Sequence, residues 1–445
     1  MADIYDVIFV GSGPSAVFGI LSKPELAKLK CLVIEKGDSI ENRDHNEVLY
    51  GFGGAGTYSD GKLVANPYVG GDIKDLLPDM WDEHFYDLSD QILETCKKFY
   101  TGDKPIDFSW MDEDNYEVPS EKLKLLKSKV CHIGTNTSRG IFLNMQKHIQ
   151  ENICPINFNE EVLEIKQVGI RGHFVDTPGY EIITNKQTYY TERIVLALGK
   201  RGNLVQKLIK QFDLKYKSNK VQMGIRVEAP NIYLKELIKK FYDFKVVMPT
   251  NLGRIRTFCA CGSEEKAAFV AVEKGKDFWS VNGHSYNDRP NNGLINFGVM
   301  ASLNLDLDKD EQIKLMQKVN GDTEQKILAQ NIEDFLQGVT TAQLNYTTSM
   351  NRQDYRLGNL WDYYPEEVCE DLCTYLREFK NNFKLEGHFF APEIKLVNPL
   401  IEMISPFEIC PGLYTVGDCS GYSRSIIQGG IIGIIVCKQL IGEQN

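Results

Sequence analysis

Apolar residues fall in short unbroken blocks near both ends of the chain and in alternating or helically spaced sets between them. Asp6 to Val10 predicts a buried strand, Gly11-Ser12-Gly13-Pro14-Ser15-Ala16 a turn into a helix, and Cys31 to Glu35 a second buried strand ending on an acid. Apolar positions at Leu88, Ile92, Leu93, Cys96 and Phe99 predict helix over much of Ile73 to Lys127, and Ile141 to Glu151 predicts an amphipathic helix before a strand near Pro155 to Phe158. Glu161 to Gln167, Gly172 to Val175 and Tyr180 to Thr184 predict a small antiparallel sheet. Thr191 to Gly199 is a polar lead-in, a buried strand and a glycine turn, placing another parallel strand beside the first two. Between Val221 and Phe389 the pattern changes to strands rich in β-branched and aromatic residues, with helical runs near Lys309 to Leu336 and Pro365 to Phe379. Gly412 to Asp418 then predicts a strand ending in Gly-Asp, followed by an apolar helix from Ile426 onward.

The chemistry starts at the first turn. Gly11 permits the tight turn, Gly13 lets backbone N–H groups approach a pyrophosphate, and Ala16 lets the helix pack close to its strand. Pro14 and Ser15 complete this G-x-G-x-x-A fingerprint, and Glu35 falls where a ribose-binding carboxylate belongs, with Lys36 next to it. Five glycines in the eleven residues from Gly51 to Gly61 exclude a helix or regular strand and suggest a backbone folded against a ligand. Gly54, Gly56, Thr57, Ser59 and Lys62 of that stretch are cofactor-binding candidates. Gly417 and Asp418 end a strand, where the carboxylate can accept hydrogen bonds from a polyol. Ser425, Ile426 and Ile427 start a helix, whose free N–H groups suit an anion or an electron-rich ring edge.

Composition narrows the function classes. A length of 445 residues predicts two or three domains. A net charge of −11 argues against nucleic acid or an anionic membrane surface as partner. The longest apolar run, Gly429 to Cys437, is about half a membrane span and reads as a buried helix. The N-terminus carries no export signal pattern, so a cytoplasmic setting with eleven reduced cysteines is expected. Cys259 and Cys261 form no C-x-x-C, and no His stands at zinc-ligand spacing, so no metal site is expected.

The N-terminal fingerprint with Glu35, the Ile-Val-Leu-Ala-Leu-Gly strand and the C-terminal Thr-Val-Gly-Asp followed by a helix resemble, in this order, the two-dinucleotide-binding flavoproteins typified by glutathione reductase. More narrowly, GFGGAGTYSDGKL, HIGT, MGIRVE, RTFCACG and VNGHSY are similar to segments of a poorly characterised family of FAD-dependent dehydrogenases. The resemblance implies FAD, with its pyrophosphate on Gly11, Gly13 and Ala16 and its adenosine ribose on Glu35. It also implies adenine near the backbone of Val162, cofactor lining at Ala197 and Gly199, the ribityl chain on Asp418, and the flavin pyrimidine edge at Ser425 to Ile427. The chain departs from that family at Ala260-Cys261-Gly262-Ser263, at Glu393 to Val397 and at Ser423-Arg424-Ser425.

These readings give an α/β protein: a Rossmann-like FAD-binding domain with a central parallel sheet, plus an inserted α+β substrate domain. The expected bounds are 1–220 (with a helical insertion at about 71–130) and 391–445 for the first, and 221–390 for the second. The expected function is an FAD-dependent oxidoreductase moving hydride between flavin N5 and a small organic substrate. Arg256, Cys259, Lys395, Tyr422 and Arg424 are the candidates to face the ring or substrate. NADH or NADPH would dock transiently as electron donor, or an electron-transfer partner would serve. The competing readings are an NAD-dependent dehydrogenase without flavin, and a flavin-binding partner-recognition protein with little turnover.

Overall fold

The computed structural model describes the chain except for residues 1–2, 44–49, 58–60, 72, 78–80, 104–105, 113–117, 119, 171–176, 200–202, 218–220, 242, 252, 263–265, 275–276, 287–288, 304–308, 322–324, 396–397 and 444–445. The framing elements run, in chain order, β1 (Ile4–Val10), α1 (Pro14–Ser22), β2 (Cys31–Ile34), β3 (Thr188–Leu196), β4 (Val221–Pro230), β5 (Gly253–Cys261), β6 (Leu294–Leu303), β7 (His388–Lys395), β8 (Leu413–Thr415) and α2 (Ile426–Leu440). The chain divides into two compact units, one of residues 1–112, 128–217 and 398–445, the other of 113–127 and 218–397.

The first unit is built on a sheet in the order Glu408–Cys410, β8, β3, β1, β2, Ile156–Asn157. β8, β3, β1, β2 and Ile156–Asn157 are parallel. Alternation along β1 feeds two cores. Val7 and Phe9 pack with α1 and α2 on one face, whereas Ile8 and Val10 pack on the other with Ile165, Ile182 and the helix Asn203–Gln211. A parallel sheet covered on both faces needs such continuous apolar strands. Beyond it, Val162–Ile170 and Thr177–Thr184 form an antiparallel extension onto β3.

Glycines set how closely α1 and α2 cross. A Cβ on Gly433 would lie 1.8 Å from the Ser15 carbonyl oxygen, and one on Gly19 would lie 2.6 Å from the Gly433 carbonyl oxygen. The two helices therefore meet backbone to backbone.

The second unit holds an eight-stranded sheet in the order Tyr355–Leu357, Ile327–Asn331, β7, β4, β6, β5, Val246–Thr250, Lys124–Leu125. Period-two alternation sorts its faces. Met223, Ile225, Val227, Ile255, Ile295, Phe297 and Val299 join one core with Leu372, Leu376 and Phe379 of the helix Glu366–Phe383. The opposite phase is polar yet buried: Gln222, Arg226, Glu228, Arg256, Asn296 and Ser302 are each 6% exposed or less.

Three expectations about elements are corrected. Among the described residues, the α-helix expected through Lys127 occupies Trp81–Lys98, and Leu125 lies in the short strand Lys124–Leu125. The helical run expected from Lys309 to Leu336 is broken by the strand Ile327–Asn331, whose five side chains are all buried between its neighbours. The glycine-rich stretch contains a single helical turn, Gly54–Thr57, and the strand Lys62–Ala65. Glycine disfavours long helices, but one turn fixes few dihedrals and is held by tertiary packing. Gly172 to Val175 lies outside the described residues, and no helix among the described residues is long and apolar enough to cross a membrane.

Gly433→Ala is expected to lower unfolding free energy by about 2–3 kcal/mol in urea denaturation, because neither facing backbone can retreat. Gly140→Ala is the matched control. It sits exposed within Thr135–Asn152 with nothing within 4 Å of an added Cβ, and is expected to stabilise by up to about 1 kcal/mol.

Candidate functional site

The carboxyl ends of β1, β3 and β8 meet the starts of α1 and α2 in the first unit. Gly11 leaves β1 with φ +98°, and its N–H donates to the Ile34 carbonyl at 2.8 Å. A Cβ there would lie 2.4 Å from the Ala197 carbonyl oxygen, so Ala197 packs on the turn through its backbone. α1 begins at Pro14 after Gly13, with no side-chain cap. The first N–H groups of a helix lack intrahelical partners, so those of Ser15 and Ala16 point out of this helix end. A Cβ on Gly13 would meet only the Ala197 oxygen, at 3.9 Å, and one on Gly199 would meet nothing within 4 Å. Among the described residues, both glycines border open space.

Glu35 ties three segments together. One carboxylate oxygen accepts from Ser12 N at 2.8 Å and Ser12 Oγ at 2.6 Å; the other accepts from Gly37 N at 2.8 Å and Gly51 N at 3.0 Å. It is 6% exposed. Its hydrogen bonds thus shape the fingerprint turn itself. Neighbouring Lys36 instead points to the surface, pairing with Glu161 at 2.8 Å beside the Tyr50 ring.

The glycine-rich stretch lies against that turn. Gly53 N donates to the Ser12 carbonyl at 2.8 Å, and Cβ atoms on Gly54 and Gly56 would lie 3.6 Å from Gly13 Cα and 2.9 Å from Pro14 Cγ. The glycines allow close approach of protein to protein at the edge of the fingerprint. Thr57, fully buried, donates to the Phe52 carbonyl at 2.7 Å and closes the turn. Lys62 begins the strand after it, half-buried, and Ser59 lies outside the described residues. Val162 starts its strand at a ladder irregularity opposite Thr184.

At the other helix start, Ser425 Oγ accepts from Gln428 N at 3.1 Å, which leaves the N–H groups of Ile426 and Ile427 facing outward. Ser15 joins the two starts: Cβ atoms on Gly417 and Gly429 would lie 2.4 and 2.9 Å from its Oγ. Asp418 is half-buried, and Asn398 Nδ2 donates to its carbonyl at 2.9 Å and to that of Gly199 at 3.3 Å. Residues 66–71 brace this end. Gln428 Nε2 donates to the Val69 carbonyl at 3.0 Å, Arg424 N donates to the Gly70 carbonyl at 2.6 Å, and Gly71 bridges to Ser423. Tyr422 and Arg424 flank the helix start. Ser423 Oγ and Gln428 Oε1 are buried there without a hydrogen-bond partner.

Of the five catalytic candidates, Tyr422 and Arg424 thus belong to the first unit, and Arg256, Cys259 and Lys395 to the second. Cys259 sits at an irregularity of β5 with φ +45°, a region cysteine rarely adopts. Buried hydrogen bonds hold it there: Asp243 accepts from Ala260 N at 2.9 Å, Ser285 Oγ accepts from Gly262 N at 3.0 Å, and Arg226 donates to the Cys259 carbonyl at 2.6 Å. Arg226, fully buried, also donates to Asn296 Oδ1 at 2.7 and 2.9 Å and to Glu393 at 3.3 Å. Burial raises the Glu393 carboxyl, to about 7, against the opposing pull of Arg226 and Lys395.

Sequence reasoning missed Gln428, Asn398, Arg226 and Asn296 as site residues and saw Glu393 only as a departure from a family pattern. The Gly70-Gly71 pair was a readable signal for the brace. An arginine at a polar strand phase normally faces solvent, so nothing local marked Arg226 as buried.

Residues 197–397 match a family model described as FAD-dependent protein, C-terminal domain-like. An uncharacterized protein of Clostridium beijerinckii is 23% identical over 484 aligned residues, spanning 98% of this chain and 80% of that one. Glycine oxidase from Geobacillus kaustophilus is similar in structure at 11% identity and TM-score 0.41, over 99% of this chain and 96% of that one. A flavoprotein/dehydrogenase from Cytophaga hutchinsonii is similar at 10% identity and TM-score 0.39, over 99% and 80%. At these TM-scores the structural likenesses carry no inference about function.

Glu35→Gln keeps the side-chain shape but turns one end into a donor facing existing donors. It is expected to destabilise the ligand-free protein by about 2 kcal/mol or more in urea denaturation, since buried N–H groups lose their acceptor.

Proposed function

We propose that this chain is an FAD-dependent oxidoreductase that moves hydride between flavin N5 and a small organic substrate. One observation carries the reading: two helix starts, those of α1 and α2, converge on one edge of the parallel sheet through the contacts of Ser15 with Gly417 and Gly429. A dinucleotide needs only the first. The second favours a ligand with an additional electron-rich end, as FAD has. The match of residues 197–397 supports the same reading.

The residues fit that cofactor. The uncapped start of α1, open at Gly13, suits a pyrophosphate, and Glu35 already orients Ser12 at the turn. β8 stops at Thr415, short of the expected Gly-Asp ending, and Asp418 stands in the 3-10 turn Gly417–Ser420 just after it, where it would hold a polyol; the orphaned Ser423 Oγ and Gln428 Oε1 add polar capacity beside Ile426 and Ile427. FAD, when bound, supplies the two-electron acceptor that protein side chains lack. Ile426 and Ile427 would direct N–H groups and the positive end of α2 at the ring edge, and Ala16 would let α1 approach closely. NADH or NADPH as transient donor, or a partner protein in that role, completes the proposal.

The test is the absorption spectrum of purified protein before and after anaerobic addition of NADH or NADPH. Bands near ~450 nm that bleach support a nicotinamide-linked flavoprotein; a colourless protein that cannot be reconstituted with FAD overturns the reading. Gly13→Ala has room within the chain, with 3.9 Å to the nearest atom, but places a methyl at the pyrophosphate approach. It is expected to weaken FAD binding by roughly tenfold or more while leaving the unfolding midpoint of the ligand-free protein unchanged.

A further inference from the structure

Glu35 stands where an adenosine ribose is expected to bind, yet the chain's own groups already engage its carboxylate. Oε2 accepts from Ser12 N at 2.8 Å and from Ser12 Oγ at 2.6 Å, and Oε1 accepts from Gly37 N at 2.8 Å and from Gly51 N at 3.0 Å. A carboxylate offers about four lone-pair sites in all. All of them are taken, and the surroundings are closed, with Glu35 6% and Ser12 1% exposed. A ribose hydroxyl can therefore reach this carboxylate only by displacing one of the four donors.

The donors differ in what it takes to move them. Gly37 N and Gly51 N belong to closely packed backbone: a Cβ on Gly37 would lie 2.2 Å from Gly51 N, and one on Gly51 would lie 2.7 Å from the Asp38 carbonyl oxygen. Ser12 N is fixed by the turn. Its own carbonyl accepts from Gly53 N at 2.8 Å, and the preceding Gly11 N donates to the Ile34 carbonyl at 2.8 Å. Of the four, only the Ser12 hydroxyl can leave by rotation about a single side-chain bond. That departure has a cost. Among the described residues the hydroxyl's one hydrogen bond is to Glu35, so the incoming ribose hydroxyl replaces one charge-assisted hydrogen bond by another and leaves a buried hydroxyl behind. The net gain from such an exchange is small.

We propose that Ser12 is an affinity-determining residue: its hydroxyl competes with the ribose diol for Glu35 Oε2, so that the turn holds an adenosine diphosphate mainly through the pyrophosphate. This deepens the flavoprotein reading and rests on it for FAD, whereas the competition applies to any adenosine diphosphate seated at this turn. Ser12 acts through Glu35 and is a positioning residue. Without its hydroxyl, Oε2 keeps the Ser12 N–H and gains a vacant acceptor site for the diol, while the N–H groups of Ser15 and Ala16 at the start of α1 are untouched.

The experiment is calorimetric titration of the full chain, stripped of any bound nucleotide, with ADP and with 2′,3′-dideoxy-ADP, in wild type and in Ser12→Ala, together with FAD uptake followed by fluorescence quenching. Wild type is expected to bind the two nucleotides within about threefold of each other. Ser12→Ala is expected to bind ADP and FAD roughly tenfold more tightly than wild type, and dideoxy-ADP with wild-type affinity. A purely structural role for Ser12 would move both nucleotides together. The proposal is overturned if wild type loses about tenfold or more when the diol is removed, if Ser12→Ala binds ADP no more tightly than wild type, or if it shifts both nucleotides alike. Ser12→Gly, which also lacks the hydroxyl, takes its place if Ser12→Ala fails to fold. The expected ADP pattern in a chain that takes up no FAD leaves the competition standing and removes the flavin reading; FAD uptake with unchanged affinity in Ser12→Ala does the reverse. Failure of both ADP and FAD to bind overturns both.

Discussion

Helices approach to backbone contact only where side chains are missing at the crossing, and α1 meets α2 in this way at Gly19 and Gly433. The contact joins the two ends of the sequence, since α1 follows the first strand of the parallel sheet and α2 follows β8. A larger residue at the crossing would separate the helix axes and with them the two helix starts. The spacing of those starts, on which any ligand reaching from one to the other depends, is thus set by atoms that are absent.

Electrostatics finish what packing begins. Glu35 is a carboxylate among backbone donors, and its four hydrogen bonds draw the turn after β1, the end of β2 and the glycine-rich stretch to a common point. The second unit uses a different arrangement. There Arg226 is the buried hub, and its partners are the side chains of Asn296, Glu393 and Cys261 and one strained carbonyl.

Much of the first unit was readable because a parallel sheet demands unbroken apolar strands, and Ile8, Val33 and Val195 lie in such runs. The fingerprint turn was equally readable, because only glycine supplies φ +98° at Gly11. The glycine-rich stretch misled in part: composition excludes a long helix there but says nothing about a single turn pressed against Pro14. The strand Ile327–Asn331 was hidden because its Ile-Leu-Ala-Gln-Asn sequence carries no two-residue alternation and abuts a true helix. The brace of residues 66–71 depends on Gln428, hundreds of residues away, and Asn398 reaches back to the distant Gly199 carbonyl, which no local pattern records.

The pairing of β3 with β8 joins Ile194 to Leu413, more than two hundred residues apart, with the long segment of the second unit, residues 218–397, between them in sequence. A ribosome delivers β1, α1, β2 and β3 long before β8 and α2 exist. Until then the second half of β3, Ile194 to Leu196, lacks its partner strand, and the glycine face of α1 has nothing to close upon. Contacts this distant in sequence slow the search for the native state. The second unit, contiguous apart from residues 113–127, is free to fold first, leaving a nascent chain whose parallel sheet waits for its last strand and is for that interval exposed to aggregation and to chaperones.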